Sequence, residues 1–330
     1  MLKNPTYGIL LSNTGTPAQP SVKEIKKFLG RFLMNERIAP MNRVFWWMLL
    51  HWHILPLRAR RNEAKYQSIW TEEGNPSTII HDALIKKLNA IDDNTLVVSG
   101  MSYSDPNIYA GLTQLKEAGC TKINVLPLYP QSAYSTTGAV SDEVKKALKK
   151  LNWNPDYRII EDYHDSSLYI KAMADSIRAA GFDSNSEDRI MFSFHSIPMK
   201  DIEAGDTYDK QTKTTCSLIA DELGIDRARW MIGYQCRFDR GREWLKPYTV
   251  DMLSALSQEV PHRLFYVCPN FAVDCLETIY DVMQEIKPHY AQALADEGKT
   301  LADENFIYVP CLNDSDAHVE MLADVVCISA

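Results

Sequence analysis

A histidine and a group of carboxylates follow two stretches of this chain that have the composition of β-strands. His195 ends the apolar run 189–195, within the segment Ser-Phe-His-Ser-Ile-Pro (193–198), and Asp274 and Glu277 follow the run 264–268. Ligands of an open parallel sheet bind beyond the carboxyl ends of its strands, so we expect these side chains to face one cleft. A neutral imidazole beside carboxylates can accept protons and can bind a divalent metal ion.

Four acidic residues recur at helical spacing in the second of these segments. They are Asp274, Glu277, Asp281 and Glu285, separated by three, four and four positions. A stripe of like charges on a helix is most often a solvated face, and that interpretation stays open at this stage. In the functional interpretation, His195 and Glu277 share a metal ion or a proton. Asp274 and Asp281 then complete the candidate metal ligands, and Asp281 and Glu285 pass protons or metal along the helix.

Eight short runs rich in β-branched and aromatic residues predict the fold. They cover residues 7–11, 96–101, 123–128, 157–160, 190–194, 230–234, 264–268 and 306–309. Most are separated by enough chain for a crossover helix, which predicts parallel βαβ units. The predicted fold is therefore α/β, with two similar Rossmann-like domains over residues 1–165 and 166–330, each a four-stranded parallel sheet flanked by helices. Beyond Pro310, a capping Asp314 or Ser315 and apolar residues at helical spacing predict a C-terminal helix in the second domain.

Composition and charge exclude several classes of protein. The 330 residues are 45% hydrophobic and 24% charged, which is typical of a globular protein with room for two domains. The formal net charge of −8 argues against binding to nucleic acid through phosphate neutralisation, so no such partner is expected. The first residues lack the features of a signal peptide, so we expect a cytoplasmic protein.

Cysteine spacing and the known short motifs give no sign of a bound cofactor. The seven cysteines are scattered and include no Cys-x-x-Cys pair, which favours reduced thiols and predicts no iron–sulfur cluster. The sequence also lacks the glycine-rich dinucleotide motif, the phosphate loop and the nucleophile elbow. The common alternatives for an α/β protein therefore have no signature here.

The segment 44–57 (Val-Phe-Trp-Trp-Met-Leu-Leu-His-Trp-His-Ile-Leu-Pro-Leu) is the most apolar part of the chain and is flanked by arginines. It is too short to span a bilayer, which needs roughly 20 apolar residues. A buried core helix is one interpretation. A surface that touches lipid headgroups or a large flat ligand is the other, because three tryptophans next to arginines suit both.

Five short motifs are distributed along the chain: 129–131 (Tyr-Pro-Gln), 135–138 (Ser-Thr-Thr-Gly), 193–198, 271–278 (Phe-Ala-Val-Asp-Cys-Leu-Glu-Thr) and 309–315 (Val-Pro-Cys-Leu-Asn-Asp-Ser). Together they resemble the ferrochelatase family, which inserts ferrous iron into protoporphyrin IX. The resemblance runs nearly end to end. It implies that His195 and Glu277 are catalytic, that iron is a substrate and not a tightly bound cofactor, and that 44–57 forms the lip of a porphyrin pocket.

The resemblance also implies a set of porphyrin contacts. Residues that match family motifs and could bind the macrocycle are Tyr66, Tyr129, Gln131, Gln235, Arg237 and Trp244. Aromatic faces can stack on pyrroles. Next to the predicted lip, Arg58, Arg60 and Arg61 are the candidates for charge-assisted hydrogen bonds to the two propionates. Each aromatic residue could instead be ordinary packing.

Two other functions remain open on sequence grounds. One is a related chelatase that inserts cobalt into sirohydrochlorin or iron into coproporphyrin, although the long aromatic segment favours a less polar porphyrin. The other is a carrier of haem or metal, which would bind without turnover. We expect a cytoplasmic monomer whose residues 44–57 contact the inner face of a membrane peripherally.

Overall fold

A computed structural model of the chain describes residues 6–237, 239, 241–259 and 263–328. The predicted domain limits at residues 1 and 330 lie outside this set. All eight predicted strands are present within it. Their bounds are β1 (Tyr7–Ser12), β2 (Thr95–Ser99), β3 (Lys122–Pro127), β4 (Asp156–Ile159), β5 (Arg189–His195), β6 (Trp230–Gln235), β7 (Leu264–Val267) and β8 (Phe306–Val309).

The strands form two four-stranded sheets in which every pairing is parallel. The orders are β2-β1-β3-β4 and β6-β5-β7-β8, so the two sheets have the same topology. This confirms the predicted α/β class. In such an order the connections diverge between the first and third strands, and this switch point is where ligands bind in open α/β sheets. The switch points are therefore β1/β3 in the first sheet and β5/β7 in the second.

Seven helical segments lie in the chain between the first and fourth strands. They are α1 (Val22–Leu33), α2 (Arg43–Leu49), the π-helix π1 (Leu50–Ile54), α3 (Leu55–Ile69), α4 (Pro76–Asn89), α5 (Ile108–Glu117) and α6 (Thr137–Lys150). Leu10, Val125, Leu112 and Val144 are buried in one cluster where α5 and α6 meet the strands. Burial of such side chains contributes roughly 1.5–3 kcal/mol each, so this cluster fixes the first sheet as a scaffold.

The second sheet has its own helices and a separate buried core. The helices are α7 (Ser167–Ala179), α8 (Met199–Glu203), α9 (Tyr208–Leu223), α10 (Thr249–Leu256), the π-helix π2 (Glu277–Ile286) and α11 (Lys287–Asp296). Met191, Tyr266, Val282 and Phe306 are buried together, which joins π2 to strands β5, β7 and β8. The Tyr266 and Phe306 rings stack at a centroid distance of 5.6 Å. This apolar packing fixes the position of π2 on the sheet and so also fixes the position of its acidic side.

The predicted C-terminal helix is present as α12 (Asp316–Val325). Ser315 is its N-cap, since its hydroxyl accepts a hydrogen bond from the backbone N–H of His318 at 3.3 Å. Asn124 of β3 donates to the carbonyl of Val326 at 2.9 Å, which ties the end of this helix to the first sheet.

The compact units of the structure differ from the predicted domains in one respect. The first unit comprises the described residues up to Asp162 together with those from Asp314 onward, and the second comprises residues 163–313 as far as they are described. The observed boundary between Asp162 and Tyr163 is thus close to the predicted boundary between residues 165 and 166. However, α12 belongs to the first unit, and Lys87 of α4 forms an ion pair with Asp316 at 3.0 Å. Tertiary packing, which the local pattern of the helix does not encode, decides this assignment.

Candidate active site at the strand ends of the second unit

His195 is the last residue of β5 and lies at the switch point of the second sheet. Its Nδ1 is 2.6 Å from the carbonyl oxygen of Ser196. A carbonyl can only accept, so Nδ1 carries the proton and donates, and Nε2 keeps its lone pair in the neutral ring. The hydroxyl of Tyr208 donates to the carbonyl of His195 at 2.9 Å and fixes the backbone at the strand end. The ring is therefore oriented with Nε2 as the nitrogen that can accept a proton or a metal ion.

The protonation state of His195 follows from its surroundings. Burial lowers the pKa of the imidazole, whereas the Glu277 carboxylate and the hydrogen bond to Ser196 act in the opposite direction. Burial is the largest of these effects because the charged ring loses its hydration. The side chain is thus neutral at neutral pH and can take up a proton or a metal ion.

A buried network of polar side chains surrounds Gln235, next to the end of β5. Gln235 is the register partner of His195 in β6. Its Oε1 accepts hydrogen bonds from the hydroxyls of Ser193 at 3.0 Å and Tyr266 at 2.7 Å, and Ser193 also contacts the hydroxyl of Thr249 at 2.9 Å. The Nε2 group of Gln235 is buried and has no hydrogen-bond partner among the described residues. Buried donors without a partner are rare, and here the unused donor belongs to a predicted substrate contact beside His195.

Glu277 begins π2, and its side chain is half-buried. Asp281 is half-buried one turn further on, and Glu285 is exposed beyond it. A π turn closes with i→i+5 hydrogen bonds, so residues four apart still lie on one side of the helix. Three of the four predicted carboxylates, Glu277, Asp281 and Glu285, thus lie on a π-helix, and Glu285 is the most exposed of them.

Asp274 is held differently from the other three carboxylates. It is 7% exposed, and its Oδ1 accepts from the hydroxyls of Tyr308 at 2.5 Å and Thr278 at 2.8 Å. Its Oδ2 accepts from Nδ2 of Asn313 at 2.7 Å. Metal ligation by Asp274 stays a prediction. A metal ion there would compete with the hydrogen bonds that both oxygens already accept from the protein.

The thiol next to these carboxylates is not a ready ligand. Burial, followed by the neighbouring Glu277 carboxylate, raises the pKa of Cys275 well above its usual range. A thiol must lose its proton to bind metal firmly, so Cys275 stays neutral beside the site.

The remaining predicted contacts of the second unit differ in accessibility. Arg237 is exposed, and its guanidinium lies 4.4 Å from the centre of the Tyr248 ring. Trp244 is only 4% exposed, and its Nε1 donates to the carbonyl of Asp239 at 3.0 Å. Arg237 can thus reach a ligand directly, whereas Trp244 is buried and is held by its hydrogen bond to Asp239.

Two predicted contacts of the first unit lie at the β1/β3 switch point. Tyr129 follows β3, and its hydroxyl contacts the hydroxyl of Thr14, which follows β1, at 2.7 Å. Gln131 is buried two residues further on. Tyr66 of α3 is 7% exposed. The structure therefore brings Tyr129 and Gln131 to a position where α/β sheets bind ligands, and it places Tyr66 largely in the packing of its helix.

The apolar segment 44–57 is a helical surface and not a buried core helix. Trp46, Leu50 and Leu55 face inward. The opposite side, called the aromatic surface below, consists of Val44, Phe45, Trp47, Met48, Trp52 and Leu57, with exposures from 38% to 71%. Of the adjacent arginines, Arg60 and Arg61 are exposed and Arg58 is half-buried. Within the described ranges, no helix is both long enough and apolar enough to cross a bilayer.

Sequence reasoning missed several residues that shape the site. Ser193, Tyr266, Tyr308 and Asn313 hold the side chains of Gln235 and Asp274. Ser193 is two residues before His195 and so shares its face of β5, which is a signal that the period of a strand contains. The partners of Asp274 come from positions 34 and 39 residues away, and no local pattern reveals them.

Comparison with known proteins identifies the family. A family model described as Ferrochelatase matches residues 6–330. The ferrochelatase of Aliivibrio fischeri is 37% identical over 325 residues, which is 98% of each chain, and that of Vibrio cholerae is 38% identical over 319 residues, which is 97% of each chain. Among solved structures, SirB from Bacillus subtilis with Fe³⁺ has a TM-score of 0.59 at 11% identity, covering 98% of this chain and 94% of that one, and it supports the fold alone. The chain belongs to the ferrochelatase family.

Proposed function

We propose that this protein inserts ferrous iron into protoporphyrin IX to form protohaem, the last step of haem biosynthesis. The observation that carries this within the site is the neutral imidazole of His195, whose Nε2 is free of the Ser196 hydrogen bond and which interacts electrostatically with Glu277. Metallation exchanges one Fe²⁺ for two pyrrole protons, so charge balances when groups of the protein accept both protons. A neutral imidazole and an ionised carboxylate supply two such acceptors.

In this proposal His195 and Glu277 accept the protons or transfer the metal, and the division between them is left open. Asp281, half-buried on the same side of π2, is the next group along which iron or protons could pass. The nitrogen and oxygen atoms of these side chains suit a divalent iron ion that must be released into the porphyrin. Thiolates would hold the metal more tightly, and the neighbouring Cys275 is kept neutral.

The macrocycle contacts are proposed separately for each unit. Gln235 and Arg237 of the second unit, and Tyr129 and Gln131 of the first, lie at or just beyond the ends of strands. Tyr66 and Trp244 are proposed as contacts at one edge of the ring only, because little of either side chain is exposed. Arg58, Arg60 and Arg61 are proposed to bind the propionates through charge-assisted hydrogen bonds.

The activity is tested by mixing purified protein anaerobically with protoporphyrin IX and Fe²⁺ and following the porphyrin spectrum, with Zn²⁺ as an air-stable substitute. Catalytic conversion that His195→Ala abolishes would support the proposal. His289→Gln is the matched control, because His289 lies in the same unit and its ring contacts Ser254 and Val250 among the described residues. Stoichiometric binding without turnover would instead identify a carrier. Faster turnover with coproporphyrin or with sirohydrochlorin and Co²⁺ would identify a related chelatase.

We also propose that the aromatic surface contacts the headgroups of an anionic membrane. Its tryptophans are amphipathic, and Arg60 and Arg61 add exposed positive charge on the following helix. A contiguous apolar patch of this kind is unusual on a protein surface without a partner. The protein would then be a cytoplasmic monomer that binds the inner face of the membrane reversibly.

A further inference from the structure

Asp274 is the centre of a buried polar cluster, called the Asp274 clamp below. Its members are Asp274, Thr278, Tyr308 and Asn313. Three donors reach the one carboxylate, at distances from 2.5 to 2.8 Å. Hydrogen bonds to an ionised acceptor are about twice as strong as neutral ones, so the cluster is a firm connection.

Asn313 closes the clamp from both sides. Its Nδ2 donates to Oδ2 of Asp274, and its Oδ1 accepts from the backbone N–H of Asp274 at 2.8 Å. Its own backbone N–H donates to the carbonyl of Ala272 at 3.1 Å, and its φ of +52° lies in the left-handed region. Asparagine and aspartate adopt this region more readily than most residues, so the local backbone suits the reciprocal pair.

The clamp joins two segments that are far apart in sequence. Tyr308 lies on β8 and Asn313 just after it, whereas Asp274 and Thr278 flank the start of π2. The hydroxyl of Thr278 also accepts from the backbone N–H of Cys275 at 2.9 Å. Glu277 lies between these anchored positions, so its backbone is fixed to the end of β8 through Asp274.

We propose that Asp274 is a positioning residue that sets the placement of Glu277 relative to His195, and that it is not a metal ligand. The proposal rests on the role given to Glu277 above. The carboxylate acts by accepting from Tyr308, Thr278 and Asn313 and so leaves the metal to His195 and Glu277. Removing it leaves buried donors unsatisfied and releases the first turn of π2.

A side-chain exchange tests this directly. Asp274→Asn keeps Oδ1 for Tyr308 and Thr278 but turns an amide donor toward the amide donor of Asn313. We expect kcat to fall by about 10- to 100-fold, as is usual when a group supporting a metal site is lost. Asn313→Asp alone sets two carboxylates against each other and is expected to reduce kcat similarly. The double variant Asp274→Asn/Asn313→Asp restores a donor opposite an acceptor, and we expect kcat to return to within about fivefold of the wild type.

A metal-ligand role predicts the opposite result. The double variant has no carboxylate at position 274, so it would remain as inactive as Asp274→Asn, with a raised KM for the metal, and this result would overturn the proposal. Unfolding midpoints of all variants identify any loss that comes from instability. If the double variant does not fold, Tyr308→Phe decides, because Tyr308 is not a candidate ligand. A fall in kcat at unchanged metal KM supports the clamp, and an unchanged kcat overturns it.

The parallel variant Glu277→Gln separates this proposal from the function on which it rests. Full turnover in Glu277→Gln would refute the role of Glu277 and with it the catalytic purpose of the clamp. Loss of turnover in Glu277→Gln without recovery in the double variant would refute the clamp alone. Loss of turnover in Glu277→Gln and in Asp274→Asn, with recovery of turnover in the double variant Asp274→Asn/Asn313→Asp, supports both proposals.

Discussion

Gln235 and His195 are direct register partners at the ends of adjacent strands, so their side chains leave the second sheet on the same face. His195 carries a free lone pair at Nε2, and Gln235 carries a hydrogen-bond donor at Nε2 that has no partner among the described residues. The two groups are chemically complementary to a ligand that has both a site of positive charge and a hydrogen-bond acceptor. This pairing places substrate binding and chemistry within one strand spacing of about 4.8 Å.

Gln235 should therefore contribute to substrate binding more than to the chemical step. We expect Gln235→Met to raise the KM for porphyrin by about 10-fold, because it removes the Nε2 donor, whose hydrogen bond contributes about 1 kcal/mol, and also takes away the acceptor of the Ser193 and Tyr266 hydroxyls. Steady-state kinetics at saturating metal would measure it. The control is Gln292→Met, since Gln292 is exposed on α11 and its amide donates to Asp296 on the same helix. An unchanged KM in Gln235→Met would remove Gln235 from the substrate contacts.

The pH dependence of turnover should reflect the environment of His195. Burial lowers its pKa below the ordinary value near 6.5, so the neutral base persists at more acidic pH and the acid limb of kcat/KM should have its midpoint below 6.5. The Glu277 carboxylate opposes this shift, so Glu277→Gln should lower the imidazole pKa further. An NMR titration of the His195 ring, assigned with His195→Gln, would measure both values. A higher pKa in Glu277→Gln would contradict the electrostatic contact.

Acid should destabilise the first unit through His81. Burial lowers the pKa of His81 from 6.5 to about 4. As the pH falls, this histidine is therefore protonated in the unfolded protein before it is protonated in the folded protein. The free energy of unfolding is thus reduced between pH 6.5 and pH 4, by about 3 kcal/mol for this residue. His81→Gln retains a group able to bond the Ser99 hydroxyl, which lies 3.1 Å from Nε2, and should lose this part of the acid dependence. Denaturant unfolding at pH 7 and pH 4 would compare the two proteins. Equal losses in both would show that His81 is not responsible.

Membrane contact should depend on the exposed tryptophans. Trp52 is 68% exposed, and Trp52→Ser should weaken flotation with vesicles of phosphatidylglycerol and phosphatidylcholine several-fold, since the ring can no longer enter the interface. Tyr109→Ser is the control, because Tyr109 is an exposed aromatic of the same unit outside the aromatic surface. Wild-type protein that stays wholly in the aqueous fraction would refute the lipid proposal. Light scattering of the protein without vesicles would test for a monomer.

The sequence predicts the strands of this protein better than it predicts the surroundings of its carboxylates. Strand runs such as Phe306–Val309 are short and apolar, and this one lies between Asn305 and Pro310, so composition is enough to locate it. A spacing of four between Glu277 and Asp281 fits an α-helix and a π-helix alike, so it could not predict π2. The partners of Asp274 lie on β8 and beyond, and only the folded sheet brings them to it. The reliable information is thus local, whereas the site depends on long-range contacts.

The common strand order of the two sheets gives the chain two equivalent positions for a reactive side chain. The last residue of the first strand is His195 in one sheet and Ser12 in the other. Ser12 is fully buried, and a hydroxyl does not take up a proton at neutral pH. The architecture is therefore repeated while the acid–base chemistry is not: the strand end of one sheet carries a proton acceptor, and the equivalent strand end of the other carries a buried hydroxyl.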